Sequence, residues 1–523
     1  MFPDLECDIL IVGGGTGACA AAMAATDMGF RVIMTEETIW LGGQLTSQAV
    51  PPDEHPWIET HGCTRRYRKF RNDVRAYYRQ FHPLTTSARR WENLNPGNGW
   101  VSRTCLEPRV AVAVLDQMLA NAIGTGQLQI FYETVPTSAT TGADRVDSVT
   151  VLHKKEGATR TIRAKFVLDA TELGDLLPMT GTEYRVGSES RSEFGELHAL
   201  EEANPDDIQG FTWCMAVGFK PGSNNVIEKP AQYEFWRNYS PAITPPWPGK
   251  LFSWDVVDAI SMERRTFSLF GDWGLFTYRR IVDGSLLETE NPVDDVSIIN
   301  WVQNDHFFKV IDQPEEMVDE TYENAKQQSL SLLYWLQTEA ERHDGGFGYP
   351  ELYLCPSAVG TATGLAMAPY HRESRRIRAQ KTVTEAHIGV EMRGELGGPE
   401  KFTDSVGVGA YRIDLHPSAG GRNSVDLAAY PFQIPLGSLV PERIKNLLPA
   451  CKNIGVTHIT NGCYRLHPVE WNIGESSALL AGFCIKNQLT PQEVTASDEL
   501  VKEFQRLCVA QGIELDWPTI RPL

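Results

Sequence analysis

The stretch Cys7-Asp8-Ile9-Leu10-Ile11-Val12-Gly13-Gly14-Gly15-Thr16-Gly17-Ala18 decides the fold of this chain. A short aliphatic run enters a row of glycines, and the Ala-rich segment from Ala18 to Met28 that follows favours helix. Gly29-Phe30 then leads into a second apolar run, Arg31-Val32-Ile33-Met34-Thr35-Glu36, which completes a βαβ unit. The glycines fit G-x-G-x-x-G/A. Gly13 permits the tight turn, Gly15 lets backbone approach a pyrophosphate, and Ala18 lets helix pack on strand, with Thr16 and Gly17 completing the cradle. Amide N–H groups at the helix start would face the anion. An acid for a ribose hydroxyl is expected about 20 residues on. Glu36 stands there at the end of the second strand, with Glu37 as the fallback. The other glycine-spaced run, Val406-Gly407-Val408-Gly409-Ala410, lacks a small residue at the sixth position and leads to Asp414-Leu415-His416 instead of a long helix. One dinucleotide site is expected.

At roughly 100–200 residues per domain, 523 residues imply two or more packed units. Lys and Arg number 48 against 67 Asp and Glu, a net charge of −19 that would repel a phosphate backbone and argues against nucleic-acid binding. With 42% hydrophobic and 22% charged residues the chain reads as globular, with no case for disorder or a coiled coil. The ten cysteines form no CxxC pair, so no zinc ribbon, iron–sulfur cluster or dithiol motif is expected, and no metal. Asp4, Glu6 and Asp8 leave no basic region for a secretory signal. Ile9 to Thr26 is uncharged, but its glycines break it as a membrane span. A cytoplasmic protein free of membrane is expected.

Further along, Tyr67, Phe70, Val74, Tyr77, Tyr78 and Phe81 recur at three- and four-residue steps and predict an amphipathic helix over Arg65–Phe81, with Arg66, Lys69, Arg71 and Arg79 on a solvated face. A helix over 108–122, a strand near 128–132 and a hairpin of 148–152 with 161–168 follow. Residues 187–435 differ in composition, with an acidic stretch over 189–207, Pro-rich loops near 241–248 and a helix over 318–340. The expected division is a first domain of 1–186, a substrate or cap domain of 187–435, a return segment of 436–490 and a helical tail of 491–523.

The fingerprint alone leaves FAD and NAD open. Trp40-Leu41-Gly42-Gly43-Gln44-Leu45-Thr46 follows the second strand, Asp169-Ala170-Thr171-Glu172-Leu173-Gly174-Asp175 follows another, and Gly474 is expected to open a small-residue helix at Gly474-Glu475-Ser476-Ser477-Ala478. Pro369-Tyr370-His371-Arg372-Glu373-Ser374-Arg375-Arg376-Ile377 is close to Y-x-R-E-S-R-R-I, and Asn446-Leu447-Leu448-Pro449-Ala450 leads on to Arg465, Pro468 and Gly474. On these segments the chain resembles the FAD-dependent oxidoreductases of the glutathione-reductase-like superfamily, the group that also holds fumarate-reductase-like and heterodisulfide-reductase-like flavoproteins. The resemblance spans most of the chain and names a cofactor, not a substrate.

It implies an α/β protein with a discontinuous Rossmann-like FAD-binding domain, a large inserted α+β substrate or cap domain, and non-covalent FAD. Gly42, Gly43 and Gln44, with Thr46, would approach the ribityl and pyrophosphate. Ala170, Thr171 and Gly174 would form the turn on the adenosine side, where Asp175 is either a contact or a helix cap. Gly474 and Glu475 would present a helix N-terminus to the flavin N1/C2=O edge, whose positive end stabilises anionic reduced flavin. Val135 and Ile473 belong to the same implied set. The chain departs from the family pattern at Glu172, where glycine is usual, and at Glu475, where glutamine is usual.

Dehydrogenation of an alcohol or amine needs a base for the X–H proton while hydride goes to flavin N5. His467 and Arg465, close before the implied flavin-facing helix, and His416, approaching from the cap, are the catalytic candidates. Arg465 would act as a clamp for a carboxylate or the flavin edge, and the plainer reading of His416 is a hydrogen-bonded loop histidine. Arg372, Glu373, Arg375 and Arg376 read as a buried ion-pair network, and Cys63 as a packed thiol in preference to a covalent flavin link. The leading function is a dehydrogenase or oxidase acting on a polar small molecule. The alternatives are a fumarate-reductase-like enzyme fed by a protein partner, and a non-catalytic flavin-binding protein. A homo-oligomer and an electron-acceptor protein are the further partners left open.

Overall fold

A computed structural model describes residues 4–523. The aliphatic run forms β1 (Leu5–Val12), the Ala-rich segment α1 (Thr16–Asp27) and the next run β2 (Val32–Thr35). Ile9–Val12 and Val32–Thr35 are buried throughout, as strands covered on both faces must be. α2 (Arg65–Phe81) and α3 (Pro108–Gly124) lead to β3 (Leu128–Phe131), β4 (Thr134–Thr141), β5 (Val146–His153) and β6 (Ala158–Asp169). The order is β3-β2-β1-β6-β5-β4. β3, β2, β1 and β6 run parallel, with Leu10 opposite Ile33 and Val167. On its far side β6 is shared. Its first half pairs antiparallel with β5, and its last residues pair parallel with β7 (Leu447–Pro449), which enters almost three hundred residues later. The chain therefore leaves this sheet and returns to it, as the sequence implies.

The sequence-predicted helix over 65–81 is found, but only part of its basic face is solvated: Lys69 is exposed and Arg79 half-buried, whereas Arg66 and Arg71 are not in solvent. Arg66 is buried against Asp27 and Glu475, and Arg71 and Arg75 are buried against Glu59, with Arg71 also on Glu54. Acids from neighbouring segments neutralise the stripe, a pairing that helical periodicity cannot reveal.

Two large apolar cores divide the molecule. One gathers residues from Ile9 through Ile513; the other lies between Ile208 and Leu365, around a four-stranded antiparallel sheet (280–282, 295–299, 215–219, 352–354) covered by α4 (Glu315–Thr338). Val406, Ile413, Phe432 and Ile434 pack in the first core. The second core thus ends well before residue 435, because the strands Ser405–Gly409 and Phe432–Pro435 pair with each other and face the first core.

α5 (His467–Asn487) starts seven residues before the expected Gly474, because Pro468 occupies its first turn without needing an N–H there. Gly474 instead lies two turns inside, where α5 crosses α1: a Cβ on it would sit 1.9 Å from the Gly17 carbonyl oxygen. Gly17 is equally tight, 2.0 Å from the Ala450 oxygen. Gly474→Ala should therefore cost at least about 2 kcal/mol, the scale of an overpacked interior. Urea unfolding should show it as a lowered midpoint at unchanged slope.

Candidate functional site

At the carboxyl ends of β1, β2 and β6 lies a cavity of about 390 Å³. Its lining includes Gly13, Gly14 and Gly15, then Glu36 and Glu37, and Val135. Gly43, Ala170, Thr171 and Asp175 line it as well. Nine of the sequence-predicted cofactor residues are thus brought together. Gly13 has φ +101° and a Cβ there would lie 2.2 Å from the Ala170 oxygen, so the turn admits no side chain. At Gly15 the backbone is extended and the nearest atoms to a Cβ are the ends of two flexible side chains, Glu172 and Glu470. What stands over Gly15 within 3.5 Å is side chain and not backbone, so a phosphate there would displace carboxylate ends without moving the turn.

Glu36 is 4% exposed and accepts hydrogen bonds from Thr38 N–H at 2.7 Å and Thr38 Oγ1 at 2.6 Å. Burial, and then the charge of Glu37, push its carboxyl up to about 8. Between its ordinary value near 4.5 and 8 the folded protein holds a proton that the unfolded chain has lost, so cofactor-free protein should lose stability as pH rises through that window. Glu36→Gln should flatten the slope in chemical denaturation at pH 5 and pH 8. Asp169, Glu196 and Glu470, all raised to about 7 by burial, act in the same direction.

The other expected cofactor residues lie outside the lining. Thr16 Oγ1 donates to the Gly42 oxygen at 2.9 Å and Thr46 Oγ1 to the Leu41 oxygen at 2.6 Å, which shapes the loop behind the cavity. Ala18 and Ile473 are core residues, Gly17 and Gly474 are the helix crossing, and Gly174 turns against Arg375. Glu475 is buried with Thr64, Arg66 and Trp471, so it closes an internal ion pair. Asp175 makes no side-chain cap; it pairs with Arg375 at 3.1 Å. Gln44 donates to the Arg465 oxygen at 3.1 Å and to Glu470 at 2.5 Å, and its Oε1 is buried without a partner. Cys63 is packed in the first core, its thiol pushed up to about 12 by burial.

Sequence reasoning missed Glu470 at the glycine turn and the partner of Glu172. Glu470 accepts from Gly17 N–H at 3.3 Å, so a carboxylate stands at the start of α1. Glu172, the departure from the family pattern, pairs with the buried Lys452. Burial opposes the charge of Lys452, but Cys451, Glu172 and Glu470 outweigh it and hold the ammonium protonated. That compensation between residues 172 and 452 explains how an acid is tolerated at the turn.

Two segments form a wall with the cavity on one side. Gly43, Ser47 and Gln48 line the cavity while Asp53 reaches beyond it; Ala368, Pro369 and His371 line it while Tyr370 points away to Arg465. Behind the wall is a cluster of polar side chains, the chamber, that contains all three catalytic candidates; Arg279, Arg465 and His467 in it are buried, and Asp414 and His416 are half-buried. Arg465 donates to Tyr370 Oη at 2.8 Å and to Asp414 Oδ2 at 3.2 Å. His416 has Nδ1 on the buried Asp305 and Nε2 3.4 Å from Asp414 Oδ2. His467 opens α5 and its Nδ1 accepts from Asp53 N–H at 3.0 Å, so its proton is on Nε2. Burial pushes the His467 imidazole down to about 4 and keeps it neutral. This differs from the expected general base: the ring's free nitrogen is a donor. Arg279, which no sequence signal marked, pairs with Asp53 at 3.3 Å. Burial raises Asp414, but His416 and Arg465 outweigh it and keep its carboxyl well below the usual range. The 372–376 arginines are held as expected: Arg372 on Asp305, Arg375 on Asp175 and Asp312, Arg376 on Glu189 and Glu373.

All ten cysteines are free and buried. Among the described residues no helix is long and apolar enough to cross a membrane.

Known structures resemble the chain only in part. L-proline dehydrogenase from P. horikoshii is 15% identical over 36% of this chain and 25% of its own, with a TM-score of 0.19. A flavoprotein/dehydrogenase from Cytophaga hutchinsonii is 18% identical over 41% and 45%, with a TM-score of 0.24. A flavocytochrome c3 fumarate reductase in its open conformation is 18% identical over 32% and 34%, with a TM-score of 0.20. The chain thus spans between a quarter and less than half the length of these structures. No curated protein sequence matches it. The profile of one protein family, described as FAD dependent oxidoreductase, matches residues 8–507, which include the glycine turn, the cavity and the chamber. On that match the chain belongs to the FAD-dependent oxidoreductase family, an enzyme family whose cofactor is FAD.

Proposed function

We propose that this FAD-dependent oxidoreductase oxidises a small polar molecule held in the chamber, and that its second core, residues 208–365, acts as the cap. FAD, when bound, supplies a hydride acceptor at N5. Gly13–Gly15 and Thr171 would hold its pyrophosphate region, and Glu36 its adenosine ribose; Val135 would lie against the adenine. The buried, unpartnered Gln48 Oε1 in the lining would accept from a ligand hydroxyl or N–H, which fits such a group.

The observation that carries the reading is the chamber itself, a group of titratable side chains gathered behind the wall of the cofactor cavity. In this reading Asp305, locked by Arg372 at 3.0 Å, orients His416 through Nδ1. His416 Nε2 then takes the X–H proton as the C–H hydride leaves, which oxidises the substrate carbon by two electrons. His467 donates Nε2–H to the substrate heteroatom, and the N-terminus of α5 beside it places positive potential at the same edge. Each arginine of 372–376 is held in an ion pair, which favours a structural role for that segment.

The test is anaerobic mixing of the FAD-loaded protein with alcohols, hydroxy acids and amines. Bleaching of the flavin band by one class supports the reading. A flavin that no member reduces, but that is reoxidised by an activated double bond after dithionite reduction, would reverse the direction of the reaction.

A further inference from the structure

We infer that the substrate carries a carboxylate, bound by Arg279, Arg465 and His467; this rests on the proposed use of the chamber as the substrate site. Among the described residues of the chamber (Asp53, Tyr278, Arg279, Tyr370, Tyr411, Asp414, His416, Arg465 and His467), three buried atoms have no partner: Arg279 Nε, Arg465 Nε and His467 Nε2. All three are donors, the first two by their chemistry and the third because its other nitrogen already accepts from Asp53 N–H. Their residues are 7%, 2% and 0% exposed.

Buried N–H groups in folded proteins are almost always satisfied, so three orphans on neighbouring residues point to a missing acceptor. They are electrostatic neighbours: both guanidiniums act on His467, on Tyr411 and on Tyr370. The existing ion pairs, Arg279 with Asp53 and Arg465 with Asp414, engage only the Nη ends and leave Nε free on each. A carboxylate offers two oxygens with about four acceptor positions and no donor, which matches three N–H groups and strengthens each bond by charge. An ammonium would add donors to donors. An amide carries a donor-only end that has no acceptor among the three orphans.

Binding is read at equilibrium, with oxidised FAD-loaded protein and probes that lack an oxidisable X–H carbon: propionate, propionamide, propylammonium and inorganic phosphate. The readouts are perturbation of the flavin absorbance and the thermal midpoint. Propionate should bind at least about tenfold tighter than the other three, the difference that one charge-assisted hydrogen bond makes. Arg279→Gln and Arg465→Gln should each weaken propionate at least about tenfold, with partial recovery in the lysine variants. Equal binding of propionamide, preference for phosphate, or propionate affinity unchanged in folded, FAD-loaded variants would overturn the inference. The wild-type panel needs no variant to fold. Propionate binding in an enzyme whose flavin no hydroxy acid reduces would sink the hydride reading alone.

Discussion

Gly15→Val should purify as a folded protein without FAD. The reason is specific to this glycine. Its backbone is extended at φ −65°, a conformation valine adopts freely, and a Cβ there meets only the mobile ends of Glu172 and Glu470, at 3.2 and 3.5 Å. The substitution therefore spares the fold but fills the space a pyrophosphate needs, costing about 3 kcal/mol or more of binding, about a hundredfold in affinity. Gly13→Val should instead fail to fold, since its Cβ would overlap Ala170 and the residue has φ +101°. Absorbance at the flavin band together with circular dichroism separates the two. Stoichiometric FAD in Gly15→Val would displace the proposed cofactor site.

His416→Ala should slow substrate-driven flavin reduction by about 10²–10⁴-fold, the usual worth of a positioned general base. FAD content should be unchanged, because His416 does not line the cofactor cavity. His467→Ala should cost about 10²–10³-fold, the scale of removing one donor from a developing charge. His467 donates as a neutral ring at any pH above about 4, so its loss lowers the rate without moving the profile. Stopped-flow reduction between pH 5 and pH 9 reads both, and wild-type rates in both variants would end the catalytic assignment.

The cofactor half of the molecule was legible because its determinants are local. Gly13, Gly15 and Glu36 are marked by fixed spacing after a strand, and the spacing encodes the turn geometry directly. The boundary of α5 was misplaced by seven residues because glycine reads as a terminus in sequence, whereas Gly474 is required by contact with Gly17, more than four hundred and fifty residues away. Arg66 and Arg71 were read as solvated for a similar reason: helical spacing reports a charged face but not the acids that other segments bring to it. The chamber was only half legible. His416, Arg465 and His467 stood out as polar residues near a return segment, but Asp53 and Arg279 are isolated in sequence, and only the fold places them opposite each other. Even where His467 was marked, its role as donor depends on which nitrogen meets Asp53 N–H, and no pattern of residues carries that.

The central claim is that the flavin's reacting face meets the chamber through the wall formed by residues 43–53 and 367–371. A crystal structure of the FAD-loaded enzyme measures this directly. With reacting atoms about 3–3.5 Å apart and a catalytic hydrogen bond of about 3 Å beyond, His416 Nε2 and His467 Nε2 should both lie within about 8 Å of flavin N5. Both rings more than about 10 Å from N5, beyond hydrogen-bond reach even through one water, would contradict it.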